Sequence, residues 1–230
     1  MLRKDSHTIA QMFDEIAPRY DFLNHFFTVG QDIRWRNKII NYLKAQKVPV
    51  NTLLDIAAGT GDSTRSLLKL NPQELFALDI SPKMLDVLKK KINSPVISIL
   101  NGRAEAIPLP DIKIDIALIA FGIRNFEDID KALREIHRVL KDGGILVILE
   151  MFSTDGKQNP LFKFYFSKLI PFLGNKISRS NYAYSYLFNS VDTFFTPSGL
   201  SAKIESSGFK LIHQVNNFLH IVHTLYFRKV

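Results

Sequence analysis

The sequence predicts a doubly wound α/β fold: a seven-stranded, mostly parallel sheet ending in an antiparallel hairpin, with helices on both faces. Three observations predict it. Between residues 51 and 150, short apolar runs alternate with amphipathic stretches of helical spacing, the pattern of strands linked by crossover helices. Those runs are apolar at successive positions rather than at every second one, which marks strands buried on both sides. The last two β-like runs, 209–215 and 218–227, follow one another with no helix between them, so they pair as a hairpin.

Each element has a local cause. Residues 1–48 read as helices rich in aromatics and charge. Thr52–Ala57, bounded by Asn51 and Gly59, is the first strand, and residues 62–70 follow with helical spacing. Leu75–Leu78 is the second strand and ends in Asp79. Ser81-Pro82 then opens a helix, serine as N-cap and proline in the first turn, with Met84, Leu85, Leu88 and Ile92 on one face. Val96–Leu100 and Ile114–Phe121 are the third and fourth strands. The helix over 128–140 carries Ile129, Leu133, Ile136 and Leu140 on one face, and Lys141–Gly144 turns into a fifth strand that ends at Glu150. Residues 198–207 form a short helix stopped by Gly208. One domain over 1–230 is expected: N-terminal helices to 48, a ligand-binding core over 51–150, a helical lid over 151–207 and closing strands over 208–230.

Composition narrows the function. The 230 residues contain no cysteine, which excludes disulfides, zinc–thiolate sites and a cysteine nucleophile. No apolar run reaches the roughly 18 residues of a membrane span, and MLRKDSHTIAQMFDEI lacks the apolar stretch of a signal peptide. A cytoplasmic protein is expected. The net charge is +8; residues 1–150 hold 21 Lys/Arg against 19 Asp/Glu, and residues 151–230 hold 9 against 3. A basic C-terminal third suits a solvated face, an anionic lipid surface or nucleic acid.

The turn after the first strand, Asp55-Ile56-Ala57-Ala58-Gly59-Thr60-Gly61-Asp62, is where a doubly wound sheet binds its ligand. Gly59 and Gly61 begin a dinucleotide fingerprint, but its third glycine is replaced by Thr64, and no P-loop lysine follows. Asp55 and Asp62 bracket the turn. Carboxylates there disfavour phosphate and suit a cation or a free amine. S-adenosylmethionine (SAM) offers both, in its sulfonium and its amino group. Asp79, 18 residues beyond Gly61, is placed to accept hydrogen bonds from the two hydroxyls of a ribose.

At this point the segments LLDIAAGTGDST, ALDISPKML, GRAEAIPLPD, IAFGIRNFED and ALREIHRVLKDGG resemble the class I SAM-dependent methyltransferases. With MFDEIAPRYDFLNHFFTVGQDIRWR and AYSYLFNSV they resemble, more narrowly, the ubiquinone/menaquinone biosynthesis C-methyltransferases, over nearly the whole chain. Phe121-Gly122-Ile123-Arg124-Asn125 is the most specific segment. The resemblance implies a Rossmann-like fold, SAM as co-substrate with no metal, and a prenylated quinol as substrate, with demethylmenaquinol expected before a benzoquinol. It implies that Gly59, Thr60 and Gly61 line the methionine part of SAM with Asp55 nearby. Asp79 would hold the ribose and Met84 pack on adenine. Arg103 and Ala104 would bracket the ring, Ala120 would lie on the cofactor side and Tyr20 would close over it. Two residues depart from the family pattern. Arg103 stands where relatives have Asn or Asp, and a guanidinium accepts no hydrogen bond, so the backbone, Ala104 or Glu105 must meet the adenine amino group. Ala120 replaces a serine.

Methyl transfer to a ring carbon needs in-line alignment, a phenolate and exclusion of water. Arg124 and Asn125, just past the fourth strand, are the expected catalytic pair. Arg124 is too basic for a general base and is expected to stabilise the phenolate, Asn125 to orient the ring oxygen. The structural alternatives are an Arg124 bridge to Asp115 or Glu127 and a turn-forming Asn125. His220 and His223, three apart in a strand, point to opposite faces and share no metal; His25 is expected at the surface or near substrate. The aromatic run 161–173, with Lys163, Lys168, Lys176 and Arg179, suggests a buried lid or a greasy mouth for the isoprenoid tail, with peripheral contact at the inner face of the membrane. The competing functions are methylation of another small molecule, methylation of RNA, and cofactor binding without catalysis. RNA is disfavoured because no proline-rich motif follows the fourth strand.

Overall fold

The structure, a computed structural model, describes residues 5–154 and 183–230. The aromatic run 161–173 and the four basic residues beside it lie outside the described residues. Three helices lead the chain: α1 (Ser6–Ile16), α2 (Tyr20–Thr28) and α3 (Gln31–Ala45). A 3₁₀ turn at Ala17–Arg19 separates α1 from α2, and Val29 and Gly30, both at positive φ, separate α2 from α3.

The core runs β1 (Thr52–Ile56), α4 (Asp62–Leu67), β2 (Glu74–Asp79), α5 (Pro82–Lys91), β3 (Ile97–Asn101), β4 (Ile114–Ala120), α6 (Ile129–Val139) and β5 (Leu140–Met151). Helices α7 (Ala183–Asp192) and α8 (Pro197–Glu205) precede β6 (Phe209–Phe218) and β7 (Val222–Lys229). The seven strands lie in the order β3-β2-β1-β4-β5-β7-β6. The first five are parallel, and β7 is antiparallel to both β5 and β6. The order reverses between β1 and β4, which makes their carboxyl ends the switch point of the sheet.

The apolar runs have their cause in this layering. Leu54, Ile56, Ile119 and Ile148 pack on one face with α6 and α8, and Leu53, Leu118, Val147 and Leu149 on the other with Trp35, Ile39 and Leu43 of α3. Burial on both faces leaves no room for alternation. The edge strands β3 and β6 are less buried than the central ones, with exposed positions among half-buried ones. The Ser81 cap is as expected, its hydroxyl accepting from Met84 N at 3.1 Å, and the Asp128 carboxylate caps α6 by accepting from Lys131 N at 2.9 Å.

Three boundaries differ from expectation. The helix over 62–70 is α-helical only to Leu67 and tightens into a 3₁₀ turn over Leu68–Leu70, because Pro72 bars Asn71 from the helix and Asn71 turns left-handed (φ +55°). Lys141–Gly144 belongs to β5 as a bulge: pairing jumps from Ile114↔Leu140 to Ile116↔Ile145, with Gly143 at φ +73°. The closing hairpin turns at Leu219-His220, both left-handed, rather than at Asn216-Asn217, so His220 sits in the turn and only His223 in a strand. The register Phe209↔Lys229 through Phe218↔Val222 decides this, since it keeps Leu225 and Phe227 in the core.

Candidate active site

A cleft with an empty volume of about 700 Å³ opens at the switch point. Its floor is the ends of β1 and β4, its sides are the loops after β2 and β3, and α1 and α2 cover it through Ile9, Phe13 and Tyr20. Eight of the sequence-predicted residues line it: Gly59, Asp79, Met84 and Tyr20, and then Arg103, Ala104, Ala120 and Asn125. Asp55, Thr60, Gly61 and Arg124 are not part of the lining, and each has another task.

The floor is built from unusual backbone. Ala57 and Phe121, the residues that follow β1 and β4, both have positive φ (57° and 59°). Left-handed backbone at side-chain-bearing residues is strained, and such strain gathers at functional sites. The two turns touch: a Cβ on Gly122 would lie 2.5 Å from the Ala57 Cβ. That contact explains the glycine of the Phe-Gly-Ile-Arg-Asn segment, a role visible only when the two turns are side by side. The two glycines of the first turn divide their work. Gly59 (φ +56°) has nothing within 4 Å of a would-be Cβ, whereas at Gly61 (φ +94°) a Cβ would meet Leu88 at 2.7 Å. Gly59 therefore serves the cleft and Gly61 the packing of α5.

Asp79 ends β2 with one carboxylate oxygen accepting from Gly59 N and the other from Ser81 N, each at 2.8 Å. It thereby ties the first turn to the start of α5. Burial pushes its carboxyl up to about 6, against the pull of those N–H groups. A carboxylate has about four acceptor sites, and Asp79 lines the cleft, so acceptor capacity is left for a ligand. Asp55 lies beneath the turn, fully buried; Oδ2 accepts from the Thr64 hydroxyl at 2.6 Å, and Oδ1 has no partner among the described residues. Burial pushes it up to about 7. Asp62, expected to bracket the turn with Asp55, is instead paired with Lys91 and with His25 Nε2 at 3.3 Å. His25 also meets Asp32 at 2.9 Å, and Asp32 is held by Arg36 at 2.7 Å. This His25–Asp32–Asp62 group has metal-like spacing, but Lys91 and Arg36 already supply its positive charge.

The cover is tied down by polar contacts that the sequence alone did not reveal. Asp14 of α1 accepts from the Ser81 hydroxyl at 2.5 Å and from Lys83 N at 3.1 Å. Asp21 of α2 accepts from Lys91 at 2.7 Å and from the Thr60 hydroxyl, so Thr60 fastens the cover and does not face the cleft. Ser6 donates to Glu127. Arg103 makes part of the same wall, its guanidinium 2.9 Å from Glu127 and 3.5 Å from Glu105. Glu105 in turn accepts from the backbone of Glu127 and Asp128. Tyr20, edge-on to Phe13 at 6.0 Å, has its hydroxyl held protonated by burial.

Arg124, expected to face the cleft, is only 5% exposed and points behind it. Its Nη1 donates to Glu150 at 2.5 Å and to the Phe121 carbonyl at 2.9 Å, and its Nε to the Ser190 hydroxyl at 3.3 Å. Neither expected bridge forms: Asp115 holds Lys141 at 2.7 Å, and Glu127 holds Arg103. The partner is Glu150, fully buried at the end of β5, where burial raises its carboxyl and Arg124 opposes the rise. A lone glutamate closing an apolar strand was the signal for it. Asn125 does reach the cleft; its Oδ1 accepts from the Tyr186 hydroxyl at 3.3 Å.

The residues fit the expected co-substrate. The cleft offers a buried carboxylate at Asp79, an open glycine turn beside it, an apolar wall at Met84 and Ala104, and a cover made by Ile9, Phe13 and Tyr20. Comparison with known proteins agrees. A demethylmenaquinone methyltransferase of Thermus thermophilus is 40% identical over 211 residues, covering 90% of this chain and 95% of the relative. One from Chlorobaculum tepidum is 38% identical over 212 residues, covering 90% and 86%. Among solved structures, a SAM-dependent methyltransferase of Thermotoga maritima, described as a possible histamine N-methyltransferase, superposes with a TM-score of 0.63 at 20% identity over 96% of this chain and 98% of that one, a likeness of fold alone. The profile of the ubiE/COQ5 methyltransferase family matches residues 1–225, and the chain belongs to that family of SAM-dependent methyltransferases.

Proposed function

We propose that the chain methylates a ring carbon of a prenylated naphthoquinol, converting demethylmenaquinol to menaquinol. The relatives above carry that activity in their names, and nine-tenths of the chain aligns with them. The geometric observation that carries the reading is that Asp79 and Asn125 line one covered cleft at the switch point. Asp79 takes the ribose hydroxyls at the end of β2, and Asn125 meets the ring oxygen beyond β4. Gly59, Met84, Ala104 and Ala120 shape the space between them, with Arg103 and Glu105 as the far wall and Tyr20 as the cover. Bound there, SAM supplies a methyl group on a sulfonium. The ring carbon forms the new C–C bond, the S–C bond breaks with its electron pair going to sulfur, and the ring gives up one proton.

The chain's own contribution is positioning and electrostatics. The covered cleft excludes water, which strengthens each polar contact within it. Asn125 donates toward oxygen, which favours the phenolate over the phenol. Arg124 acts through the turn that carries Asn125, holding the Phe121 carbonyl while Glu150 balances its charge. The basic C-terminal third suits peripheral contact with the membrane that holds the quinol.

The test is a mass-spectrometric assay with labelled SAM and three acceptors in detergent: reduced demethylmenaquinone, a benzoquinol analogue and RNA. The expected result is one methyl group gained by the naphthoquinol. Label on the benzoquinol alone would move the ring type, and label on RNA alone would overturn the reading.

A further inference from the structure

We infer that Tyr186 is a positioning residue for the methyl transfer: it sets the orientation of the Asn125 side-chain amide so that the NH₂ group, and not the carbonyl, is offered to the substrate oxygen. The inference rests on the proposed role of Asn125 and extends it to a residue of α7, 61 positions away.

The argument starts from the two ends of the amide. Asn125 is 8% exposed and lines the cleft. Its backbone N–H is used by the Gly122 carbonyl at 3.0 Å, which closes the 3₁₀ turn Ile123–Asn125. Its Oδ1 accepts from the Tyr186 hydroxyl at 3.3 Å. Its Nδ2 is buried and has no partner among the described residues. A buried amide nitrogen without an acceptor is costly, and because Asn125 lines the cleft, an oxygen of a bound ligand is the acceptor assigned to it here. A ligand oxygen satisfies it, and a phenolate oxygen does so best because the bond is then charge-assisted.

An amide turns about its last side-chain bond with little intrinsic preference, so the neighbour decides which end faces the cleft. Here the neighbour is a phenol. Burial raises the Tyr186 hydroxyl above its ordinary range, so it stays protonated and can donate. The tyrosine is itself held: its ring packs with Ile16, Leu23 and Met84 under the helices that cover the cleft. Four residues on, and so on the same face of α7, Ser190 accepts from Arg124. One helix face thus grips both members of the Arg124–Asn125 pair. Because Tyr186 shares its packing with Met84 and the cover, the geometry at the substrate end is linked to closure at the SAM end.

Removing the phenol oxygen leaves the ring and its packing in place but frees the amide to present its carbonyl, which repels a phenolate. One neutral hydrogen bond of this kind corresponds to about a tenfold preference. The experiment is a double-mutant cycle on the whole protein with Tyr186→Phe and Asn125→Ala, read by turnover of demethylmenaquinol and by SAM calorimetry. The expected result is an about tenfold lower kcat for Tyr186→Phe, with SAM affinity and thermal midpoint unchanged. In the Asn125→Ala background the same change alters kcat by less than twofold. Full turnover in Tyr186→Phe, or an equal loss in both backgrounds, overturns the inference and leaves the role of Asn125 standing. Wild-type turnover in Asn125→Ala overturns that role, and the inference with it.

Discussion

Asp79 is the residue proposed to hold the ribose of SAM, and Asp79→Ala is the perturbation with the best-defined outcome. If its carboxylate accepts both ribose hydroxyls, the change removes two hydrogen bonds to a charged group, worth about 1.5–3 kcal/mol each. The expected loss is therefore about 3–6 kcal/mol, a rise in the Kd for SAM of roughly 10²–10⁴-fold. The effect on the fold is small by comparison, because two terms oppose. The N–H groups of Gly59 and Ser81 lose their acceptor, at about 1–3 kcal/mol each where they stay dry. Against this, a carboxyl lifted from 3.8 to about 6 carries a penalty of about 3 kcal/mol when ionised at neutral pH, and alanine removes it. The pH dependence gives a second readout. Because the folded value lies above the unfolded one, this group's contribution to stability falls as pH rises from about 4 to about 6 and is constant above. Ligand hydroxyls donate to the ionised form, so SAM affinity is flat above pH 6 and falls as pH drops through it. Titration calorimetry at pH 7.5 and 5.5 tests both statements. An unchanged Kd in Asp79→Ala, or an affinity that does not weaken at pH 5.5, would refute the ribose role.

Two further changes test the floor of the site. Arg124→Met is expected to abolish turnover, keep SAM binding and destabilise the fold by about 3–5 kcal/mol, because Glu150 is left buried without its partner. Adding Glu150→Gln should recover most of that stability in a thermal melt but none of the turnover, and normal turnover in either variant would make the pair purely structural. Gly122→Ala places a methyl group 2.5 Å from the Ala57 Cβ, which should cost about 1–3 kcal/mol and weaken SAM binding by forcing the two turns apart; a variant with wild-type melting and affinity would show that the turns do not need their close approach.

Local pattern alone was enough for the sheet, its direction and the position of the cleft at the switch point. The continuous apolar runs at Thr52–Ile56 and Ile114–Ala120 have no reading except strands covered on both faces. The turn at Gly59 and the acid at Asp79 were legible as parts of the switch-point cleft, which both line, since glycine spacing and strand-end carboxylates act within a few residues of one another. The partners of the buried charges were not legible, because they depend on which strands become neighbours. Arg124 had two acids close in sequence, Asp115 and Glu127, yet the pairing of β4 with β5 brings Glu150 to it and leaves those acids to Lys141 and Arg103. Thr60 and Asp62 looked like cradle residues for the same reason. Only the packing of α2 and α5 over the turn shows that they hold Asp21 and Lys91. A pattern of apolar and polar residues reports which side of an element is dry. The neighbour waiting on that side is set by sheet order and helix packing, and the hydrogen bond from Tyr186 to Asn125 exists only after the chain has closed on itself.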